Sequence, residues 1–325
     1  MMPHALAIDA LYEEHRRFLW SLCYRMTGSA ADAEDIVQDT FVRAIERPPA
    51  RTNESLRPWL VKVALNLARD LLRRRQRREY IGPWLPSPIE TGLGALHPAL
   101  DLSTEQRVPS TGYDPPSYEP TALEGRYDLL ESVSFAFLIA LEALTPTARG
   151  VLLLRDVFDY SVRETAEALD LTEANVKTTH HRARRAMASY DGDRQIPTAA
   201  RQQATADALK QFVRALERHD VAAIETLLAD GVRTTTDGGG EFKSALKTIV
   251  GRDNVARFYL AIAVNAANGK VRMPALNGIP SIVCDLPSPA PGIAPRFTLT
   301  AQLNRDGKIS HLYVVSATLK LTAVR

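Results

Sequence analysis

At 325 residues, with a net charge of only +2, the chain is long enough for two or three separately folded domains, and it carries no global basicity that would announce a nucleic-acid partner. Two cysteines, Cys23 and Cys284, are too few for a disulfide framework and fit a reducing compartment. No long uncharged apolar run qualifies as a membrane span, and the N-terminus lacks the apolar core of a signal peptide, so the sequence reads as a soluble, cytoplasmic protein with no membrane partner.

Taken in order, Ile8, Leu11, Tyr12, His15, Phe18, Leu19, Leu22 and Met26 keep three-and-four spacing through an opening helix that Gly28 is placed to end. Ser29 caps the next, Ala30 to about Glu46. Its first turn carries Asp32, Glu34 and Asp35, which suit the positive end of the helix dipole, and it directs Ile36, Val37, Phe41 and Ile45 inward beneath an acidic exposed face. Pro48 and Pro49 break it, residues 50–56 form a polar loop, and a third helix runs from about Pro58 to Arg78. Trp59, Leu60, Val63, Leu67 and Leu71 make its expected core stripe, and its far end, Arg69 to Arg78, holds six arginines. Arginines neutralise phosphates, and a loop beside an aromatic residue can receive extruded bases, although Trp59 reads more readily as a core aromatic.

From Tyr80 to Glu124 periodicity vanishes: eight prolines exclude long helices, and one arginine stands against six acidic residues. This reads as a linker, either a passive tether or a segment that tracks along a positively charged channel of a partner. A helix resumes from about Tyr127 to Leu144, and Thr145 with Pro146 caps another that runs to Asp156. Ser161 to Leu169 form a short helix with Val162, Ala166 and Leu169 as its stripe, and Asp170 to Thr172 form a turn. Thr172 then caps a helix from Glu173 whose inward residues are Val176, His180, Ala183 and Met187. The opposite face of that helix, Ala174, Lys177, Thr178, His181, Arg182 and Arg185, is small, polar and cationic, as major-groove insertion requires. The plain alternative is a solvated basic face. His180 and His181 point to different faces and are poor joint metal ligands.

Two blocks carry a specific resemblance. DAEDIVQDTFVRAI with RPWLVKVALNLARDLLRRR, within Asp9 to Arg78, resembles region 2 of extracytoplasmic-function (ECF) sigma factors. LTPTARGVLLLRDVFDYSVRETAEALDLTEANVKTTHHRARRAM, within Leu129 to Met187, resembles region 4. The resemblance implies that the acidic helix, through Asp32, Asp35, Gln38 and Asp39, docks on core RNA polymerase. It implies that Arg51, Asn53, Arg57, Trp59, Arg73 and Arg74 meet and melt the minus-10 promoter element, and that Lys177, Thr178, His181, Arg182 and Arg185 read the minus-35 element. His180 stands where such proteins often carry Leu. Core polymerase and promoter DNA are the implied partners, with no cofactor.

After a short linker the pattern becomes α+β. Ala204, Leu209, Phe212, Val213 and Leu216 predict one helix, Val221 to Leu228 a second and Asn254 to Val264 a third. Strand-like runs lie at Val232 to Thr236, Lys270 to Leu276, Ser281 to Asp285, Phe297 to Leu303 and Ile309 to Thr318. Asp306-Gly307 supplies the positive φ angles of a hairpin turn. Helices on a curved antiparallel sheet make a cone with a pocket, and this order with GRDNVARFY resembles the SnoaL-like (NTF2-like) domain that some ECF sigma factors carry. PWLPSP at Pro83 to Pro88 and DGGG at Asp237 to Gly240 resemble further motifs of those proteins; Glu241 and the ending SATLKL depart from them. Relatives of this domain include cyclases and isomerases with a buried Asp or His base, for which Asp237, Asp285 and His311 are the candidates. None sits in a catalytic constellation, and Asp237 reads first as a turn residue.

The expected architecture is thus multidomain, with two all-α domains and an α+β cone: residues 5–79 (region 2), 80–126 (linker), 127–190 (region 4 with the helix-turn-helix), 191–200 (linker) and 201–325 (SnoaL-like). The expected function is promoter recognition by a non-enzymatic sigma factor regulated by its own C-terminal domain. Two alternatives are a ligand-responsive DNA-binding regulator that does not act through core polymerase, with a small ligand in the C-terminal pocket, and a DNA-tethered SnoaL-like cyclase or isomerase.

Overall fold

The structure, a computed structural model, describes residues 3–47, 56–77, 80–91, 127, 129, 131–194, 196–266 and 268–325; of residues 3–8 only the backbone is described. The chain divides into two compact units. The first comprises residues up to Arg77 together with the stretch that ends at Arg194. The second comprises Gln195–Arg325 together with the segment Arg78–Ala95.

The first unit is all-helical. α1 (Pro3–Thr27) ends at Gly28, whose φ of 67° is the left-handed conformation a residue with a side chain resists. Ser29 caps α2 (Ala30–Glu46) by accepting from the Asp32 amide, and Pro58 occupies the first turn of α3 (Arg57–Gln76). The helix expected from Tyr127 to Leu144 is shorter. A 3-10 turn at Glu131–Val133 comes first, and Ser134 then caps α4 (Phe135–Leu141) by accepting from the Phe137 amide. Thr145 caps α5 (Pro146–Asp156) and Ser161 caps α6 (Val162–Leu169). Thr172 caps α7 (Glu173–Ala186), which α8 (Ala188–Gly192) follows.

Three burial patterns differ from the sequence reading. In α1, Trp20, Ser21, Tyr24 and Arg25 are as buried as Leu19 and Leu22, because α2 and α3 pack on one side and α5 on another. In α3 the buried residues are Leu60, Val61, Ala64, Leu65, Ala68 and Leu72, whereas Trp59, Val63, Leu67 and Leu71 are half-buried. The stripe is rotated because alanines at its centre let neighbouring helices approach on both sides. Ile45, expected inward, is 52% exposed on α2 beside Val42. The fully buried Glu131 carboxylate accepts from Tyr190 Oη at 2.8 Å and from Arg194 Nε and Nη2 at 2.6 and 2.7 Å, tying the 3-10 turn to the end of the unit.

The second unit is α+β. Its sheet runs β2 (Ile249–Val250), β1 (Leu228–Asp237), β7 (Ile309–Val315), β6 (Arg296–Leu303), β5 (Ile279–Asp285) and β3 (Lys270–Arg272), with β4 (Ala275–Leu276) also paired to β5. The sheet is mixed rather than antiparallel: β1 pairs with β7 in parallel, the other pairs being antiparallel. β1 and β7 are the first and last long strands, so the intervening chain provides the crossover that a parallel pair needs. The hairpin between β6 and β7 is longer than a two-residue turn. Only Gly307 takes a positive φ, and Asn304 accepts from the amides of Asp306 and Lys308.

α9 (Ala199–Glu217), α10 (Val221–Leu227) and α11 (Arg252–Ala263) pack on one face of this sheet. Phe212, Leu209, Tyr259, Leu299, Ala301 and Leu312 lie in their shared core; Ala204, expected inward on α9, is exposed, and Thr205 and Ala208 take its place. The alternate residues Ser281, Val283, Thr298 and Thr300 are buried too, so both faces of the sheet are covered. Tyr80–Thr91, assigned by sequence to the linker, is a strap of this unit. Tyr80 Oη and the Leu85 amide donate to the Asp237 carboxylate at 2.6 and 2.7 Å, the Ile89 amide donates to Asn277 at 3.0 Å, and the Thr91 amide to the Ala275 carbonyl. Leu85 and Ile89 are buried, which prolines and absent periodicity could not disclose. The linker residues from 92 to 126 lie outside the described residues.

Candidate nucleic-acid interface

The second helix of the helix-turn-helix is oriented by what lies beneath it. Val176, Ala183 and Met187 are buried against α5, and half-buried His180 places Nε2 2.8 Å from the buried Asp156 carboxylate. His180 thus replaces an apolar contact with a polar tie to the end of α5. The turn before α7 is held by Asp170 in the left-handed region, φ 53°, where Asp is tolerated better than most side chains. α6 carries a full capping box: the Glu164 amide donates to Ser161 and the Ser161 amide to Glu164.

With its inner residues fixed, α7 presents Lys177, Thr178, His181, Arg182 and Arg185 outward, all exposed, together with Glu173, Ala174 and Asn175 at the N-terminal end. The arginines cost little to leave in water, and their planar donor forks are suited to guanine edges or phosphates. Behind the helix, Tyr127, Phe137 and Tyr190 form an aromatic cluster with ring centroids 4.7 to 5.9 Å apart. Burial raises the hydroxyl pKa values of Tyr127 and Tyr190 well above the ordinary tyrosine range, and the carboxylates of Asp191 and Glu131 that they face add to this.

The residues expected at the minus-10 element are more dispersed. Arg51 and Asn53 lie outside the described residues. Arg57 is half-buried, its guanidinium carbon 4.0 Å from the centroid of the Phe18 ring, and Trp59 is half-buried near it in the first turn of α3. Arg73 and Arg74 are exposed one turn beyond Arg69, and Arg73 pairs with Asp70. The same helix carries three cations that the sequence reading did not single out, Lys62, Arg69 and Arg75. Arg69 is held below the ordinary guanidinium pKa, first by burial and then by the neighbouring Arg73.

On α2, Asp35, Gln38 and Asp39 are exposed and Asp32 is half-buried at the capped end. Val42 and Ile45, 49% and 52% exposed, continue the line of Asp35 and Gln38 at helical spacing, so the acidic face has an apolar margin. The spacing of Ile45 from Phe41 also fits a core stripe, which is why periodicity alone points it inward.

In the second unit the three candidate bases stand in different surroundings, and of them Asp285 lines an open groove. Asp237 is buried and accepts from Tyr80, the Leu85 amide, the Gly239 amide and Lys320. Asp285 pairs with Arg296, and His311 is half-buried and stacks on the Tyr313 ring at 5.8 Å. A groove of about 710 Å³ opens where β5, β6 and β7 meet the C-terminal residues, floored by Leu286, Pro287, Leu321 and Val324 with Lys270 and the paired Asp285 and Arg296 beside them. No group of three or more His, Cys, Asp or Glu side chains that could hold a metal, and no helix long and apolar enough to cross a membrane, occurs among the described residues.

Comparison with known proteins matches residues 11–78 to Sigma-70 region 2 and residues 135–187 to Sigma-70, region 4. The chain is 29% identical over 323 residues to the ECF RNA polymerase sigma factor SigJ of Mycobacterium tuberculosis, spanning 96% of this chain and 92% of that protein. It is 34% identical over 238 residues to SigG of the same organism, covering 68% of this chain and 59% of SigG. Among solved structures, the crystal structure of M. tuberculosis SigJ superposes with a TM-score of 0.69 at 26% identity, covering 97% of this chain and 98% of that one.

Proposed function

Because the chain belongs to the ECF group of RNA polymerase sigma factors, proteins that direct the polymerase to promoters, we propose that three of its helices divide that task. The exposed face of α7 enters the major groove of the minus-35 element. There Lys177, Arg182 and Arg185 pair with base edges and phosphates, Thr178 and His181 supply shorter polar contacts, and the buried Val176, Ala183 and Met187 fix the helix's rotation in the groove. The N-terminal half of α3, with Arg57 and Trp59, meets the minus-10 element beside the preceding loop that includes Arg51 and Asn53. Arg73 and Arg74 neutralise the adjoining backbone. Asp32, Asp35, Gln38 and Asp39 of α2 meet a basic surface of core polymerase, with Val42 and Ile45 adding the apolar part of that contact.

The observation that carries this reading is the two-faced α7: every one of its residues assigned to DNA is exposed, and the residues of its opposite face pack inward or half-inward. The second unit regulates these surfaces; its groove near Lys270 and Arg296 is where a small ligand would act.

The test is transcription reconstituted with core polymerase on a panel of genomic promoters, with start sites mapped. Arg182→Ala with Arg185→Ala is expected to lower initiation at the chain's own start sites by at least about tenfold, since each arginine withdrawn from a base edge or phosphate costs roughly 1–3 kcal/mol. Asp35→Lys with Asp39→Lys is expected to abolish co-purification with core polymerase while leaving binding to promoter duplex intact. Unchanged start sites in the first variant, or unchanged polymerase binding in the second, would refute the assignment of that helix.

A further inference from the structure

The charged residues of the groove in the second unit form one row across three strands. Asp285 on β5 stands directly opposite Lys270 on β3 and Arg296 on β6, and both pairs are antiparallel, so the three side chains share a face of the sheet with the cations on either side of the carboxylate. Asp285 is already engaged, accepting from Arg296 Nε at 2.5 Å. Arg296 also donates from Nη1 to the Val324 carbonyl at 3.1 Å, and its Nη2 has no partner among the described residues. Lys270 is exposed, and its ammonium has neither a hydrogen-bond nor an ion-pair partner among them. The row therefore holds one positive charge more than it matches.

The floor beside this row is apolar. Leu286, Pro287, Leu321 and Val324 offer no side-chain hydrogen bonds, so the hydroxyls of a polar ligand such as a sugar would lose water there without replacement. An apolar body gains by covering such a surface, and about 710 Å³ is room enough for a small organic molecule. The unmatched charge selects the other end of the ligand. A carboxylate answers it one for one, whereas a doubly charged phosphate would carry excess negative charge up to Asp285.

Leu321 and Val324 belong to the C-terminal segment, whose other contacts hold the strap. Lys320 donates to the Leu85 carbonyl, the Ala323 carbonyl accepts from the Glu90 amide at 3.4 Å, and the Arg325 amide donates to the Glu90 carboxylate at 3.1 Å. A molecule seated on the floor bears on the segment that clasps Tyr80–Thr91.

We propose that this groove binds a small amphipathic carboxylate, its carboxylate held by Lys270 and by Arg296 Nη2 and its apolar body lying over Leu286, Leu321 and Val324, and that occupancy tightens the strap. This rests on the reading of the groove as the place where the second unit receives a small ligand. The bonds to the carboxylate are charge-assisted, the stronger kind of hydrogen bond.

Hydrogen exchange read by mass spectrometry on the full wild-type chain tests this, with octanoate as the probe. Octanoate at about 3 mM, against the dissociation constant of ~1 mM expected of so short an apolar body, slows local opening by up to about fourfold through mass action. Amides of residues 318–325 and those of Leu85 and Ile89 are therefore expected to exchange at least about twofold more slowly than without it. Acetate, octan-1-ol and octyltrimethylammonium at the same concentration are expected to have less than half that effect. Lys270→Gln is expected to weaken octanoate binding about fivefold, and Lys270→Arg to keep it within about twofold of wild type.

Equal slowing by octanol, or greater slowing by octyltrimethylammonium, overturns the carboxylate while leaving the groove a ligand site. Slowing by octanoate that Lys270→Gln does not reduce seats the carboxylate elsewhere and overturns the proposal. Slowing confined to residues 318–325 overturns the link to the strap. No slowing of residues 318–325 by any of the four probes removes the groove as a ligand site, and the ligand class with it.

Discussion

Asp237 stands in a glycine-rich turn motif, and sequence offers it as either a turn residue or a buried base. Its surroundings decide. Its oxygens accept from Tyr80, Leu85 and Gly239 and pair with Lys320, whose ammonium lies 4.3 Å from the centroid of Trp84 and 4.8 Å from that of Tyr80 and also donates to the Leu85 carbonyl. A carboxylate held by so many donors is an anchor for the strap. Asp237→Ala would leave Lys320 buried without its counter-charge, which costs about 3–5 kcal/mol, whereas replacing both partners with apolar residues of similar size costs far less. The expected result is loss of hydrogen-exchange protection at the Leu85 and Ile89 amides in Asp237→Ala, with protection largely restored in the double variant Asp237→Leu/Lys320→Met. His180 shows the same rule at smaller scale. Periodicity pointed it inward, and Asp156 waiting on α5 is what allows a polar ring there.

At the scale of elements, local signals carried the starts of the capped helices, missed the late start of α4, and failed on the faces. Ser29, Thr145 and Thr172 each cap the helix that the sequence assigns to them, because a cap acts within three residues, whereas Ser161, expected as the first residue of its helix, is its cap. The capping box of α6 makes a quantitative case. Ser161→Ala removes the acceptor for the Glu164 amide and is expected to cost about 1 kcal/mol, lowering the unfolding temperature of the helical unit by about 2–4 °C in circular dichroism, with Ser161→Thr near wild type. Periodicity gives α1 and α3 faces that are too narrow, because each helix is buried from two directions. Ile45 shows the converse: its spacing suits a core, but no described element covers that end of α2, and the side chain is left beside Asp35 and Gln38 as part of an outward surface.

At the scale of the whole molecule, the second unit is discontinuous. Its strap, Tyr80–Thr91, begins three residues after Arg77, the residue that caps α3, whereas the rest of the unit begins only after Arg194. A fragment of residues 196–325 therefore lacks part of its own structure. A peptide of residues 78–95 is expected to bind that fragment. Trp84 is the only tryptophan in the pair, so its fluorescence reports the association directly, and Asp237→Ala in the fragment is expected to weaken it by at least about a hundredfold. The absence of any fluorescence change with the wild-type fragment would show that the strap adds nothing to the unit.

The sequence by itself determined the order of most of the helices, the caps of α2, α5 and α7, the two faces of α7 and the resemblance to two sigma blocks, since each is written in residues within a few positions of one another. The tertiary structure decided the rest. Arg25 finds Ser132 across 107 residues and Tyr80 finds Asp237 across 157, and β1 lies parallel to β7 only because both ends of the second unit return to one sheet. Periodicity states which side chains leave water; the partner that displaces the water is chosen by packing between segments far apart in the chain, and no local pattern encodes it.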